Sequence, residues 1–555
     1  MYQRIVIALL FFTTSLCYGQ NSIVIMQEHY TYTINNLDDY VTEISLEGIN
    51  FSDSKSKISI PFSELSTLEN SASFELKNGK WKASKIDQKT SISTIDYSSF
   101  FSGYKYLLYE IPPSVHFKLV LTFKEKHCIF LSELHKTGKF GHTENVKYNF
   151  KLPNDLVLSS EHGEKLKGEF TYDFKKIDSA EVVHFLIHPQ STPPSSYFST
   201  WFSKRIDSQL VIADSLIQAV LADSRQKLND SIFVSACFEF VRRKIRYVDI
   251  ENGINALIPR QCEKTLANRL GDCKDMATLL TAIYRHYGFE AYVAIAQTND
   301  QIKPFNFPTI GLANHMICAL KFKEQWYYLD PTENGCLFGD PSLQIFGTET
   351  FVVGSGPDYF QSIPSVTRHK SYGEMRYNFD EENQLISLHI VAAGKMNLLF
   401  DYINFNYNSP KIYLEKVLLN ISQNKWIVDS LSITNYSSSI HFSLPLSAAM
   451  YSKIKDQTLY DPSAFLLSMP AMVSIFQNNE TPLFDSQIKI KLAFNGIIGS
   501  ILNHSSPIIE SKDEKSITFK CPLKFTDNID EFQRDSAYLS WQEFLKKPII
   551  INHEN

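Results

Sequence analysis

Hydrophobic positions along this chain change their period from one region to the next, and each change predicts a different kind of structure. From about residue 21 to 188 they alternate with polar ones in short runs such as FKLVLTF (117–123), separated by clusters of Gly, Pro, Asn, Asp and Ser. Short strands in such succession predict a β-sandwich over 20–190. HPQSTPPSS (188–196) then reads as a Pro- and Ser-rich linker. Helical spacing follows: Ile232, Phe233, Ala236, Phe240, Val241 and Ile245 form an apolar stripe, with Arg242, Arg243, Lys244 and Arg246 expected on the solvated side. A second helix is predicted within 268–288, NRLGDCKDMATLLTAIYRHYG, where Met276, Ala277, Leu280, Ile283, Tyr284 and Tyr287 share a face before Gly288 stops it.

FEAYVAIA (289–296) reads as a strand. A polar and aromatic loop over 297–313, with Phe305, Phe307 and two prolines, is expected to wall or cover a cleft. NHMICALKF and WYYLDPT then read as the two strands of one hairpin. After Val353 a GSGPD turn marks a boundary, and alternation returns in ISLHI (386–390), IKIKLAF (488–494) and ITFKCPLKF (517–525), with 410–419 as the best helix there. The predicted architecture is multidomain α+β: an N-terminal β-sandwich (20–190), an α+β core (197–353) and a C-terminal β-rich domain (366–555).

Reactivity concentrates at the start of the second helix. Gly271 permits a tight entry, Asp272 can cap the helix, and Cys273 falls in the first turn, where unpaired N–H groups and the positive end of the helix dipole favour an anion. Alone, such a cysteine is more often an inert small hydrophobe. Two later residues reverse that reading. If the hairpin turns near Lys323 and Glu324 through a two- or four-residue loop, paired positions have numbers summing to 647, so Asp330 opposes Ile317 and lies one diagonal from His315 on the same face. A three-residue loop would separate them. A thiol to attack, an imidazole to take its proton and a carboxylate to hold the imidazole are the parts of a thiol-dependent acyl-transfer site.

GDCKD at a helix start, Asn-His opening a strand and YYLDPT, in that order, resemble the transglutaminase-like superfamily in its bacterial cysteine-peptidase-like branch. IRYVDIENG (245–253) and Pro259 are similar to that family's lead-in, so the resemblance spans roughly 197–353. It implies a papain-like α+β core with Cys273 as nucleophile, His315 as base and Asp330 as orienting acid, acting on amide bonds of a peptide or protein through a thioester. Water would complete hydrolysis and an amine would complete crosslinking; an aqueous exported setting favours hydrolysis. The family also implies an oxyanion donor from an upstream side chain, for which Tyr247 and Gln261 are the candidates beside the Cys273 N–H. The rival reading is a binding or assembly protein that keeps this core as a scaffold.

Composition narrows the partners. With 54 basic and 60 acidic residues the net charge is -6, which suggests neither nucleic acid nor an anionic membrane surface. A length of 555 residues suits about three domains. Of the cysteines beyond Cys17 (128, 237, 262, 273, 318, 336, 521), none has C-x-x-C spacing, and the histidines at 29, 116, 127, 135, 142, 162 and 184 do not cluster, so no metal or other cofactor is expected. Arg4, the apolar run IVIALLFF and Gly19 predict a secretory signal peptide over 1–19 and an exported protein, periplasmic or at the cell surface. Leu16 is a poor residue to precede a lipid-attachment site at Cys17. No spanning segment follows; 464–476 comes nearest and is broken by Pro470.

Overall fold

The structure is a computed structural model describing residues 23–460, 485–524 and 549–553, less internal stretches of up to seven residues such as 175–180, 222–227, 365–370 and 444–450. The expected leader 1–19 with Cys17, and the apolar run 464–476, lie outside the described residues. The chain is strand-rich, with helices concentrated in its middle third.

The first region is built on a seven-stranded sheet centred on the hairpin Ile23–Asn36 and Asp39–Asn50. The predicted alternation is present: Phe117, Leu119, Leu121 and Phe123 all point inward from His116–Lys126. They pack against Ile58, Ile60, Leu107, Tyr109 and Ile111 from a smaller three-stranded sheet. Farther along, Tyr30, Tyr32 and Tyr148 stack, Phe150 lies tilted against Tyr32, and all four are covered by Leu156, Leu158, Val183, Phe185 and Ile187 of a four-stranded sheet. The 188–196 stretch holds the end of a strand and the start of a helix. Strand Val182–Pro189 reaches helix α1 (Pro194–Ile206) through a turn of a few residues, because Pro194 at the first helical position suits helix initiation.

In the middle region α2 (Asp230–Lys244), α3 (Cys262–Asn268) and α4 (Cys273–His286) precede a five-stranded antiparallel sheet. Its strands are β1 (Glu290–Ala296), β2 (His315–Phe322), β3 (Gln325–Leu329), β4 (Glu349–Val352) and β5 (Phe360–Ser362), in the order β3-β2-β1-β4-β5. The sheet therefore runs past Val353.

Two helix faces differ from the sequence reading. On α2 the buried residues are Phe233, Val234, Cys237, Phe238, Val241 and Arg242, while Ile232 is 52% exposed. Arg242 is correspondingly inside, 1% exposed, and tolerated there because it pairs with Glu239 at 2.7 Å, a carboxylate that also takes Arg243. Helix α4 is buried on every side from Lys274 to Tyr284, with α2 packed along it and the Tyr284 hydroxyl donating to the Val234 carbonyl at 2.7 Å.

The 297–313 loop, expected to wall or cover a cleft, is packed into the core at Phe305, Thr309 and Leu312. Phe305 is 1% exposed, edge-on to Phe360, in a cluster shared with Ile129 and Leu186 of the first region. Lys303 Nζ lies 2.9 Å from Glu161, and the Thr309 hydroxyl donates to the Phe185 carbonyl at 2.9 Å. At Gly311 a Cβ would sit 2.8 Å from His184 Cδ2, so the backbone there needs glycine's missing side chain.

This clamp gives a pH signature. Burial tends to raise the Glu161 pKa, but hydrogen bonds from His184 and Lys303 override it and bring it to about 2, below its ordinary 4.5. A depressed carboxylate stabilises the fold fully above its unfolded value, and that contribution is lost as pH falls through 4.5 toward about 2. Thermal unfolding followed between pH 6 and 2.5 should therefore fall less steeply in Glu161→Gln than in the parent. Parallel curves would remove Glu161 from the acid response.

The C-terminal region forms a mixed seven-stranded sheet that includes Leu385–Ala393, Asp485–Ala493 and Ser516–Lys524, and a helix α5 (Pro410–Ser422) where one was expected.

Candidate active site

Helix α4 starts where its sequence says it should, and more firmly than a single cap requires. Asp272 accepts from the Asp275 N–H at 3.1 Å while Asp275 accepts from the Asp272 N–H at 3.2 Å, a reciprocal capping box that fixes the first turn. Arg260 reinforces it by reaching Asp275 Oδ2 with Nε (2.9 Å) and Nη2 (2.7 Å). Lys274, 7% exposed, pairs with Asp272 at 2.7 Å. Burial works against charge on that lysine, and Asp272 together with Cys273 outweighs it, so its pKa is raised and it stays protonated. Two buried acids are thus balanced by two bases, and Cys273 sits in a turn that cannot easily shift.

The hairpin settles the second half of the site. Lys323 and Glu324 both adopt left-handed backbone angles (φ 51° and 59°), as a tight two-residue reversal needs. Pairing runs from Phe322↔Gln325 to Cys318↔Leu329, each summing to 647. His315 at the start of β2 and Asp330 just past β3 consequently meet, with Nε2 2.9 Å from Oδ2. Asp330 is 0% exposed, and its carboxylate also accepts the Thr332 N–H (3.0 Å), the Thr332 hydroxyl (2.7 Å) and the Ser342 hydroxyl (2.7 Å).

The electrostatics follow from that arrangement. Burial opposes charge on His315, but the Asp330 anion, its hydrogen bond and a hydrogen-bonded contact with Cys273 raise the imidazole pKa to about 10. Burial also opposes ionisation of Asp330, and the His315 charge with the Thr332 and Ser342 donors holds it well below the usual carboxylate range. Cys273 is partly exposed, whereas Cys128, Cys237, Cys262, Cys318 and Cys336 are buried; these six are free thiols. The structure thus brings Cys273, His315 and Asp330 together.

The two oxyanion candidates fare less well. Tyr247 pairs through its backbone with Gly271, but its ring packs with the cluster around α2, whereas Cys273 belongs to the cluster on the other side of α4. Gln261 is exposed at the start of α3 and makes no side-chain capping bond. Arg260, Lys274, Thr332 and Ser342 were given no role from sequence. Only Thr332, in DPT, carried a signal, since a threonine two residues after an aspartate can close a local turn onto it.

Among the described residues no group of three or more His, Cys, Asp or Glu side chains is arranged to hold a metal ion, and no helix is long and apolar enough to cross a membrane. A cleft of about 270 Å³ lined by Ser203, Asp207, Arg285 and Gly354 lies toward the far end of α4 and includes none of the three site residues.

A cysteine at the mouth of a buried helix, facing a hairpin that pairs a histidine with an aspartate, defines an α+β thiol module. Residues 218–331 match the transglutaminase-like superfamily, and the chain therefore carries a transglutaminase-like domain. Among solved structures, a "putative protease" from Parabacteroides distasonis aligns over 96% of this chain and 100% of its own at 9% identity, with a TM-score of 0.49. A "putative cysteine protease" from Cytophaga hutchinsonii aligns over 62% and 88% at 10% identity, with a TM-score of 0.18. A "putative nutrient binding protein" from Legionella pneumophila aligns over 45% and 94% at 11% identity, with a TM-score of 0.20. No curated protein matches the chain.

Proposed function

We propose that this protein is an exported thiol enzyme that cleaves amide bonds of peptides or proteins through a thioester on Cys273. The observation that carries the reading is the buried 2.9 Å His315–Asp330 pair, whose imidazole also contacts the thiol at the start of α4. With His315 protonated, Cys273 Sγ attacks the carbonyl carbon as a thiolate, and the oxyanion forms near the Cys273 N–H at the start of the helix, a position with no intrahelical acceptor. His315 passes its proton to the leaving nitrogen, the C–N bond breaks, and a thioester and free amine result. His315, now neutral, takes a proton from water as the water oxygen attacks the thioester carbonyl; the C–S bond then breaks, releasing the acid and leaving the Cys273 thiolate beside protonated His315. An amine in place of water would give crosslinking, and the wet exterior expected for an exported chain favours hydrolysis. Asp330 holds the imidazole tautomer throughout.

Acid-quenched mass spectrometry of the protein incubated with a peptide library tests this. An acyl adduct should appear on Cys273 in the parent. Asp330→Ala should lower turnover by roughly 10²–10⁴-fold and His315→Ala by more, because the base moves the proton whereas the acid orients it. Full turnover in Asp330→Ala would reduce the triad to a dyad, and no adduct across the library in the folded parent would favour the scaffold reading.

A further inference from the structure

We infer that Ser342 is a positioning residue of this site, its hydroxyl locking the Asp330 carboxylate in the orientation that His315 requires. The inference rests on the proposed roles of Cys273, His315 and Asp330. It concerns a residue beyond 331, where the family match ends.

The argument starts from the distribution of donors. Asp330 is cut off from water, so protein groups must supply its hydrogen bonds. Oδ1 takes both of its donors from Thr332, two residues away (3.0 and 2.7 Å), and that local turn would form whichever way the hairpin faced. Oδ2 takes His315 Nε2 (2.9 Å) and Ser342 Oγ (2.7 Å). Ser342 is therefore the donor from a distant segment that shares an oxygen with the imidazole. Rotation of the carboxylate away from His315 would also break the Ser342 bond.

Ser342 is itself fixed. It is 0% exposed, and its carbonyl accepts the Ile345 N–H at 3.2 Å. Two residues further along, Gln344 ties the chain on two sides: its carbonyl takes the Asn299 N–H at 2.7 Å and its side-chain amide donates to Glu333 at 2.7 Å. A hydroxyl anchored in this way acts as a fixed stop, which is what an orienting group needs.

The charged groups bearing on His315 are Asp330 and Cys273; beside Cys273 lie the ion pairs Lys274–Asp272 and Arg260–Asp275. Replacing Ser342 removes none of these charges; what it removes is one hydrogen bond to Asp330 Oδ2. If the hydroxyl positions Asp330, its loss loosens the His315–Asp330 contact and the imidazole gives up its proton at lower pH. If it merely dilutes the carboxylate's charge, its loss leaves a more basic anion and His315 holds its proton to higher pH.

The test is a titration of the full chain with ¹³C-labelled histidine, in which the His315 ring signal is assigned by its disappearance in His315→Ala. The His315 midpoint in Ser342→Ala should fall by about one pH unit, the scale of a modest lost interaction. Ser342→Cys, which keeps the shape with a weak donor, should move it in the same direction and serves if the alanine variant does not fold. An unchanged or raised midpoint in both variants overturns the positioning role and leaves Ser342 as a packing residue. Asp330→Ala separates the levels: if it too leaves the His315 midpoint in place, the triad reading fails first and this inference with it.

Discussion

In the native, reduced protein at pH 7.5, iodoacetamide is expected to modify Cys273 well ahead of Cys128, Cys237, Cys262, Cys318 and Cys336. The last five are 0–1% exposed. Burial pushes the Cys128 and Cys318 thiols up to about 12. At pH 7.5 a thiol with a pKa of about 12 is ionised in only about one molecule in 10⁴–10⁵, so a probe that reached it would find little to react with. Cys273 is partly exposed, lies in the first turn of α4 and touches a protonated imidazole, three conditions the others lack together. His315→Ala should slow its labelling on the order of tenfold, because it removes the imidazolium beside the thiol and leaves the helix end in place. Peptide mapping gives each rate. Equal rates at Cys273 and a buried thiol, with no response to His315→Ala, would mean that the nucleophile is not activated.

The second large effect is structural. Phe305→Ala should cost about 3–5 kcal/mol, the usual penalty for emptying a phenylalanine site in a closed core. Phe305 is 1% exposed and wedged against Phe360, whereas Phe307 is only partly buried. Phe307→Ala should therefore cost clearly less. Denaturant midpoints for the two variants measure the difference. A near-neutral Phe305→Ala with a changed substrate profile would instead favour the loop as a cover over a cleft.

The parts of the site legible in the sequence were those governed by local rules. A two-residue reversal at Lys323 and Glu324 fixes the 647 register, and the register alone brings Asp330 to His315. The start of α4 was likewise written in Gly271, Asp272 and Cys273. What escaped depended on partners distant in sequence. Periodicity placed Ile232 inside and Arg242 outside, since a hydropathy pattern cannot know that Glu239 will neutralise an arginine in the core. Phe305 looked like a loop aromatic because its partner Phe360 and the neighbouring Leu186 lie far along the chain. Ser342 gave no signal; a serine twelve positions from an aspartate is unremarkable until the loop folds back.

The shared cluster around Phe305 bears on how such a module can be inherited. Ala277, Val293, Ile295 and Met316, from the segment that matches the superfamily, are covered by Ile129, Leu186, Phe198, Trp201, Phe202 and Phe351 from either side of it. Recombination that moved only residues 218–331 into another gene would carry the nucleophile away with that apolar face bare. The unit that gene fusion could transplant with that face covered is longer, reaching back past the strand Val182–Pro189 to Ile129 and forward to the strand that begins at Phe360.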